Sequence, residues 1–268
     1  MIKFADTLRE SMRCMTVLGR IFFSALFWAT CLLLTSLWSR KTAGYERTVL
    51  HRWVNRLFAI TAISIDLRVE EALSPASGPF IFMANHRSFM DIPILAAVLR
   101  PFSPSWVALS CLVHVPFFGW AFRRFDPILV RPGDKTRNRV AMEAARKTLS
   151  KGNSLLVFPE GGLSRNARLL PLKAGFFKLA LETGIPIVPV TIIGTDHLLP
   201  PGSYKIKSGT VRVFIGSRLP TSSSVDNLRD AVRTKMESYL KNAEKIWDSF
   251  SCEVNLKELK SAQGIYPL

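Results

Sequence analysis

Phe80-Ile81-Phe82-Met83-Ala84-Asn85-His86-Arg87-Ser88-Phe89-Met90-Asp91 carries an unbroken apolar run into a histidine and a carboxylate five positions apart. Residues 80–84 have the length of a buried strand, and a helical pattern over residues 92–99 follows the polar turn. Strand, turn and helix in that order set the rhythm of the chain on either side. Upstream, Ile63–Val69 alternates apolar and polar residues, as a half-buried strand does. Downstream, apolar runs at Ile128–Val130 and 155–158 alternate with a helical pattern over residues 138–150. A helix over residues 174–183 stops at Gly184, a natural helix terminator, before strands at Ile187–Ile193 and 210–215. Residues 222–245 open on a serine and read as an amphipathic closing helix. Strands separated by helices predict an α/β fold, a mostly parallel central sheet flanked by helices on both faces. That domain occupies residues 62–245, with an N-terminal segment over 1–61 and a tail over 246–268 that carries no periodic signal.

Composition narrows the surroundings. Of 268 residues, 48% are hydrophobic, and Lys and Arg outnumber Asp and Glu 36 to 20 for a net charge of +16. Such an excess attracts nucleic acid, anionic membrane or an acidic small molecule without choosing among them. The greasy N-terminus makes the choice, because a nucleic-acid binder has no need of one. An anionic membrane surface is the expected partner, each basic residue near it contributing on the order of 1 kcal/mol, and nucleic acid is not expected.

Residues 21–38 form an 18-residue uncharged run bounded by Arg20 and by Arg40-Lys41. At 1.5 Å per residue the run barely reaches across the roughly 30 Å hydrocarbon core. It is too long for the apolar part of a cleaved signal peptide, and no small-residue cleavage site follows. Three readings fit: a short spanning helix, an interfacial helix, or half of a hairpin dipping into one leaflet. Basic residues at both ends leave its orientation open. Residues 49–60 place Arg52 and Arg56 one turn apart beside Trp53, Leu57 and Phe58, which fits a helix lying in the headgroup layer. A membrane-embedded pair of N-terminal helices is the expectation. The four cysteines are scattered with neither metal-binding nor paired spacing, as packing residues in a reducing compartment would be.

His86 is the histidine with a chemical setting. It follows a strand, where the carboxyl ends of α/β sheets carry chemistry. Ser88 and Asp91 make a capping-box pattern, although Pro93 allows Asp91 itself to be the cap. Either arrangement puts the Asp91 carboxylate at the positive end of a helix and within reach of the imidazole. An aspartate on Nδ1 leaves Nε2 free to accept a proton and stabilises the resulting imidazolium. A capped helix beside a histidine satisfied by backbone would produce the same letters. Phe158-Pro159-Glu160-Gly161-Gly162 also ends a strand, with glycines that let a backbone approach a ligand and a carboxylate that can hold hydroxyls. A plain strand-to-loop turn is the alternative. Arg131, closing the Ile128–Val130 strand, suits a phosphate through its planar fork, or is a solvated strand end. Lys173, near Arg165 and Arg168, adds positive potential with the same alternative. His51, His114 and His197 lack a comparable carboxylate and read as non-catalytic. No nucleophile elbow, phosphate loop, dinucleotide fingerprint or zinc-protease helix is present, so the nucleophile is expected to be a hydroxyl of the substrate.

These blocks, in this order, resemble the glycerolipid acyltransferase family. Asn85 to Asp91 matches the family's N-H-x-x-x-x-D block, and Pro116-Phe117-Phe118-Gly119 through Arg131 its second block. Phe158-Pro159-Glu160-Gly161 matches F-P-E-G, Lys173-Ala174-Gly175 the later lysine–glycine helix start, and Val188-Pro189-Val190 the V-P-V block. The resemblance implies that His86 is the general base and Asp91 its orienting partner. Arg131, Glu160 and Gly161 would belong to the acceptor surface, and the backbone around Gly161 and Gly162 would face the developing oxyanion. It implies transfer of a fatty acyl group from a thioester, acyl-CoA or acyl carrier protein, to the free hydroxyl of lysophosphatidic acid, giving phosphatidic acid. No resident cofactor is implied. The implied place is the inner, cytoplasmic membrane, with the catalytic domain on its cytoplasmic side. Two departures bear on the acceptor. Gly162 and Leu163 stand where most members have threonine or serine and then arginine, and Leu109 and Ser110 where a lysine is common. They leave open acylation of another lysolipid, a lysophospholipid or an amino-acid-containing one. A non-catalytic basic membrane-surface protein is the reading from outside the enzyme class.

Overall fold

The structure, a computed structural model, describes residues 15–24, 26–28, 30, 43–115, 118–165, 168–221, 224–242 and 253–255. Its centre is an eight-stranded sheet built from β1 (Ile63–Val69), β2 (Ile81–Ala84), β3 (Ser105–Leu109), β4 (Ile128–Val130), β5 (Leu155–Val157), β6 (Ile187–Ile193), β7 (Gly209–Ile215) and β8 (Glu253–Asn255). Across the sheet the order is β4-β3-β5-β2-β6-β7-β1-β8. The pairs β4–β3, β3–β5, β5–β2, β2–β6 and β7–β1 are parallel, whereas β6–β7 and β1–β8 are antiparallel. The mostly parallel α/β sheet expected from the sequence is therefore present.

β2 lies in the middle, and its side chains alternate between two cores. Phe82 and Ala84 join Ile94, Leu95, Val188 and Val213 on one face, while Ile81 and Met83 join Leu149, Val157, Phe177 and Val232 on the other. Burial on both faces explains why this strand reads as continuous apolar sequence instead of alternating. The first face is covered by α1 (Ala43–Thr61) and α2 (Asp91–Val98). The second is covered by α4 (Lys135–Ser150), α5 (Gly175–Thr183) and α7 (Val225–Lys241), α3 being the short helix Phe118–Arg123. Gly184 ends α5 in the left-handed conformation, φ 69°. α7 is capped by Ser224, whose Oγ accepts from the Asn227 N–H at 3.2 Å, and ends at Lys241; Ser222, expected to open it, lies outside the described residues.

Several features differ from the sequence reading. α1 does not offer its whole apolar stripe to a bilayer: Val54, Leu57 and Phe58 are buried in the core beneath it, while Arg52 and Arg56 face out. An apolar stripe at helical spacing looks the same whether protein or lipid covers it. β6 and β7 run antiparallel, joined by a connection that holds only the short helix α6 (Thr195–Leu198). β3 and β8 had no sequence signal. β3 is mostly half-buried, and β8 is three residues long and joins β1 through its backbone. Of the apolar run over 21–38, the part from residue 31 onward lies outside the described residues. Among the described residues no helix is long and apolar enough to cross a membrane.

Phe80 anchors the central core. It is fully buried and its ring lies 5.8 Å from Phe82 and 5.7 Å, edge-on, from Phe102. Phe80→Ala is expected to cost about 3–5 kcal/mol of stability, read as a lowered denaturation midpoint in urea.

Candidate active site

The turn after β2 carries the geometry. Asp91 is the first residue of α2 and is completely buried. Its Oδ2 accepts three hydrogen bonds: from the Arg87 N–H at 2.7 Å, the Ser88 N–H at 2.9 Å, and His86 Nδ1 at 2.8 Å. Backbone amides can only donate, so this oxygen is an acceptor and Nδ1 is the nitrogen that carries hydrogen. The other ring nitrogen, Nε2, then presents its lone pair and has no partner among the described residues. The capping box expected from Ser88 and Asp91 is half realised. Asp91 does reach back to the Ser88 N–H, but Ser88 Oγ accepts from Met90 at 3.2 Å and donates to the Leu199 carbonyl at 2.7 Å.

The surrounding groups fix the imidazole from several directions. Its ring stacks on Phe158 with centroids 4.0 Å apart and 17° between planes. The His86 N–H donates to Glu160 Oε1 at 2.9 Å, and its carbonyl accepts from the Ser164 N–H at 2.8 Å. Asn85 grips β6 twice, donating to the Ile192 carbonyl at 2.9 Å and accepting from the Ile192 N–H at 2.7 Å. The sequence reading gave Phe158, Asn85 and Ser164 no role. Their adjacency in the motifs was the only available signal, since each acts through a partner distant in the chain.

Glu160 needs a correction. The sequence suggested a carboxylate free to hold substrate hydroxyls, but it is 5% exposed and both oxygens are committed. Oε1 takes the His86 N–H and Oε2 the Leu170 N–H, at 2.9 and 2.7 Å. Burial pushes its pKa above the usual carboxylate value, against the lowering pull of those two amides. Glu160 ties the β5 loop to the β2 loop and holds the backbone of His86.

Gly161 is required where it stands. Its φ is +69°, and a Cβ there would come within 2.4 Å of Lys173 Nζ. Lys173 thus lies across Gly161, so two of the expected substrate residues do meet, and the lysine is exposed. The Gly161 N–H is not available to an oxyanion, because it donates to the Phe158 carbonyl at 3.0 Å. The Gly162 N–H has no backbone partner among the described residues and remains the oxyanion candidate. Arg131 is exposed at the end of β4, which β3 and β5 separate from β2. Three strand spacings put it about 14 Å away across the sheet. Its backbone, not its side chain, is bonded to Asn138. Among the described residues no cluster of His, Cys, Asp and Glu is suited to a metal.

Several known proteins are similar to this chain. The family model described as Acyltransferase matches residues 66–193. A 1-acyl-sn-glycerol-3-phosphate acyltransferase of Chlamydomonas reinhardtii is 30% identical over 201 residues, 73% of this chain and 60% of its own length. One from Haemophilus influenzae is 28% identical, covering 68% of this chain and 75% of its own. The crystal structure of the 1-acyl-sn-glycerophosphate acyltransferase PlsC from Thermotoga maritima superposes with a TM-score of 0.72 at 26% identity, over 88% of this chain and 98% of that one. Residues 66–193 are thus similar to the acyltransferase family, and the chain resembles PlsC in fold. It spans less than two thirds of the length of the Chlamydomonas relative.

Glu160→Gln is expected to leave one of the two buried amides facing an NH2 group. The cost is about 1–3 kcal/mol, visible as a lower thermal midpoint together with reduced turnover.

Proposed function

We propose that this protein transfers a fatty acyl group from a thioester donor to the free hydroxyl of lysophosphatidic acid, forming phosphatidic acid. The observation that carries the reading is the His86–Asp91 pair, 2.8 Å apart with the carboxylate fully buried, at the carboxyl end of the central strand. Nε2 takes the proton of the acceptor hydroxyl as its oxygen attacks the thioester carbonyl carbon. Asp91 stabilises the imidazolium that forms, and the Gly162 N–H faces the oxygen that gains charge. The tetrahedral adduct then expels the thiolate, which recovers the proton from His86. No resident cofactor takes part, and the donor is acyl-CoA or acyl carrier protein. The relatives named as 1-acyl-sn-glycerol-3-phosphate acyltransferases support the choice of acceptor. Lys173, lying over Gly161, is assigned to the acceptor's phosphate. Arg131 contributes long-range positive potential. Gly162 and Leu163, in place of a hydroxyl and an arginine, favour as second reading a lysolipid other than lysophosphatidic acid.

The catalytic domain, residues 62–245, works at a membrane surface, the cytoplasmic face of the inner membrane. Phe22, Phe23, Leu26 and Phe27 are exposed on the helical stretch within residues 15–30, beside Arg20 and Arg56. Aromatic and aliphatic side chains next to arginines suit an acyl–headgroup boundary, and the +16 charge favours an anionic leaflet.

His86→Ala should lower turnover at least a hundredfold, within the 10²–10⁴ that a positioned base supplies. The assay is incorporation of labelled acyl groups into a panel of lysolipids. No incorporation into lysophosphatidic acid by the wild type would remove the leading acceptor, and an unchanged rate in His86→Ala would remove the mechanism. Deleting residues 1–40 should shift the protein from the membrane fraction toward the soluble one.

A further inference from the structure

A cleft of about 260 Å³ opens at the opposite end of the sheet from His86. Asp126 and Asn153 line it just ahead of β4 and β5, and Ser105 opens β3, so its floor is the amino ends of three adjacent parallel strands. His86 follows the carboxyl end of β2, which is parallel to β5. The family's chemistry sits at carboxyl ends, so this cleft does not belong to the reaction centre.

Its walls carry charge that the protein does not neutralise. Arg47 of α1 and Arg100, just past α2, line it, and neither guanidinium has a hydrogen-bond or ion-pair partner among the described residues. A third arginine, Arg124, is already paired with Glu46 at 2.9 Å. His51 of α1 stands between these groups with its Nδ1 buried and unpartnered. Burial, then Arg100 and Arg47, push the imidazole down to about 4, so it is neutral at physiological pH. Glu46 and Asp126, the carboxylates facing the cleft, do not offset that positive field at His51.

The backbone is also unusual here. Ala62, Ser103 and Asp126 are the non-glycine residues with positive φ among those described, and Ser103 at 40° and Asp126 at 47° both line this cleft. Non-glycine residues adopt such angles seldom, and they cluster where a binding geometry is held. The space suits a phosphoryl group with part of what bears it, and is below the ~300–1,000 Å³ of cavities that enclose a drug-sized ligand.

We propose that this cleft is a phosphate-binding site distinct from the reaction centre, in which Arg47 and Arg100 clamp the phosphoryl group of a free anion or a lipid headgroup. Guanidinium forks match phosphate oxygens in geometry, and two of them facing one cavity supply both charge and direction. Bound phosphate would leave the burial of His51 in place but offset the lesser push from Arg100 and Arg47, so the histidine should titrate at higher pH when the site is filled.

The test is titration of the full chain in neutral detergent with orthophosphate, followed by calorimetry and by imidazole NMR of its four histidines. Binding should weaken at least tenfold in the double variant Arg47→Ala/Arg100→Ala. It should recover partly in Arg47→Ala/Arg100→Lys and stay unchanged in His86→Ala. The His51 titration should move upward only when phosphate is bound. Should the double variant fail to match the wild-type melting midpoint, the single variants Arg47→Gln and Arg100→Gln serve instead. Displacement of orthophosphate by phosphatidylglycerol vesicles, and not by phosphatidylcholine vesicles, assigns the site to a lipid headgroup. Binding that survives both assigns it to a soluble phosphate. Undetectable binding at millimolar phosphate, equal binding by the arginine variants, or loss on His86→Ala overturns the proposal.

Discussion

One buried carboxylate oxygen organises the reacting end of this molecule. Asp91 Oδ2 accepts from the amides of Arg87 and Ser88 and from the imidazole of His86, all within 2.9 Å and out of contact with water. A carboxylate removed from water is costly unless its lone pairs are satisfied. Here three bonds to Oδ2 offset part of that cost, Oδ1 being buried without a partner among the described residues, and the same bonds set the direction of the histidine. The turn between β2 and α2 can therefore take one shape only, and the imidazole's free nitrogen is a consequence of that shape. The helix start contributes as well, since Asp91 sits at the positive end of α2.

Around this oxygen the site is tied together by contacts between segments far apart in sequence. Glu160 joins the β5 loop to the β2 loop through the His86 amide, Asn85 joins β2 to β6 through Ile192, and Ser88 reaches the Leu199 carbonyl beyond α6. β5, β2 and β6 are neighbours in the sheet, so their carboxyl ends deliver the three loops to one place. Preorganisation of this kind, in which donors and acceptors are fixed before substrate arrives, is what makes a weak base effective. Positive charge is divided between the two ends of the sheet. Lys173 lies over the glycine turn at the reacting end, and Arg47 and Arg100, without partners among the described residues, stand at the other.

The letters of the motifs do different work from what their chemistry suggests in isolation. Glu160 reads as a hydroxyl ligand because it follows a strand and precedes glycines, yet it is a clamp on backbone amides. Gly161 reads as a place where substrate approaches the backbone, yet the group lying against it is Lys173. Arg131 ends a strand as expected, but its strand is at the sheet's edge. In each case the local sequence specifies the residue's position on an element, and the neighbour that uses it comes from elsewhere in the chain.

By itself the sequence determined the α/β class and most of the strands and helices, and it brought His86 and Asp91 within reach of each other, their hydrogen bond being decided by the structure. All of these depend on residues within a few positions of one another: apolar periodicity, a glycine terminator, a carboxylate five positions from a histidine. Only the tertiary structure decided the strand order, the antiparallel β6–β7 pair, the burial of one face of α1, and the clamp role of Glu160. Those depend on which segments meet in space, and an apolar stripe or a buried carboxylate has the same spelling whatever covers it. The strand β8 and the arginine cleft at the amino ends of β3, β4 and β5 belong to the second group for the same reason.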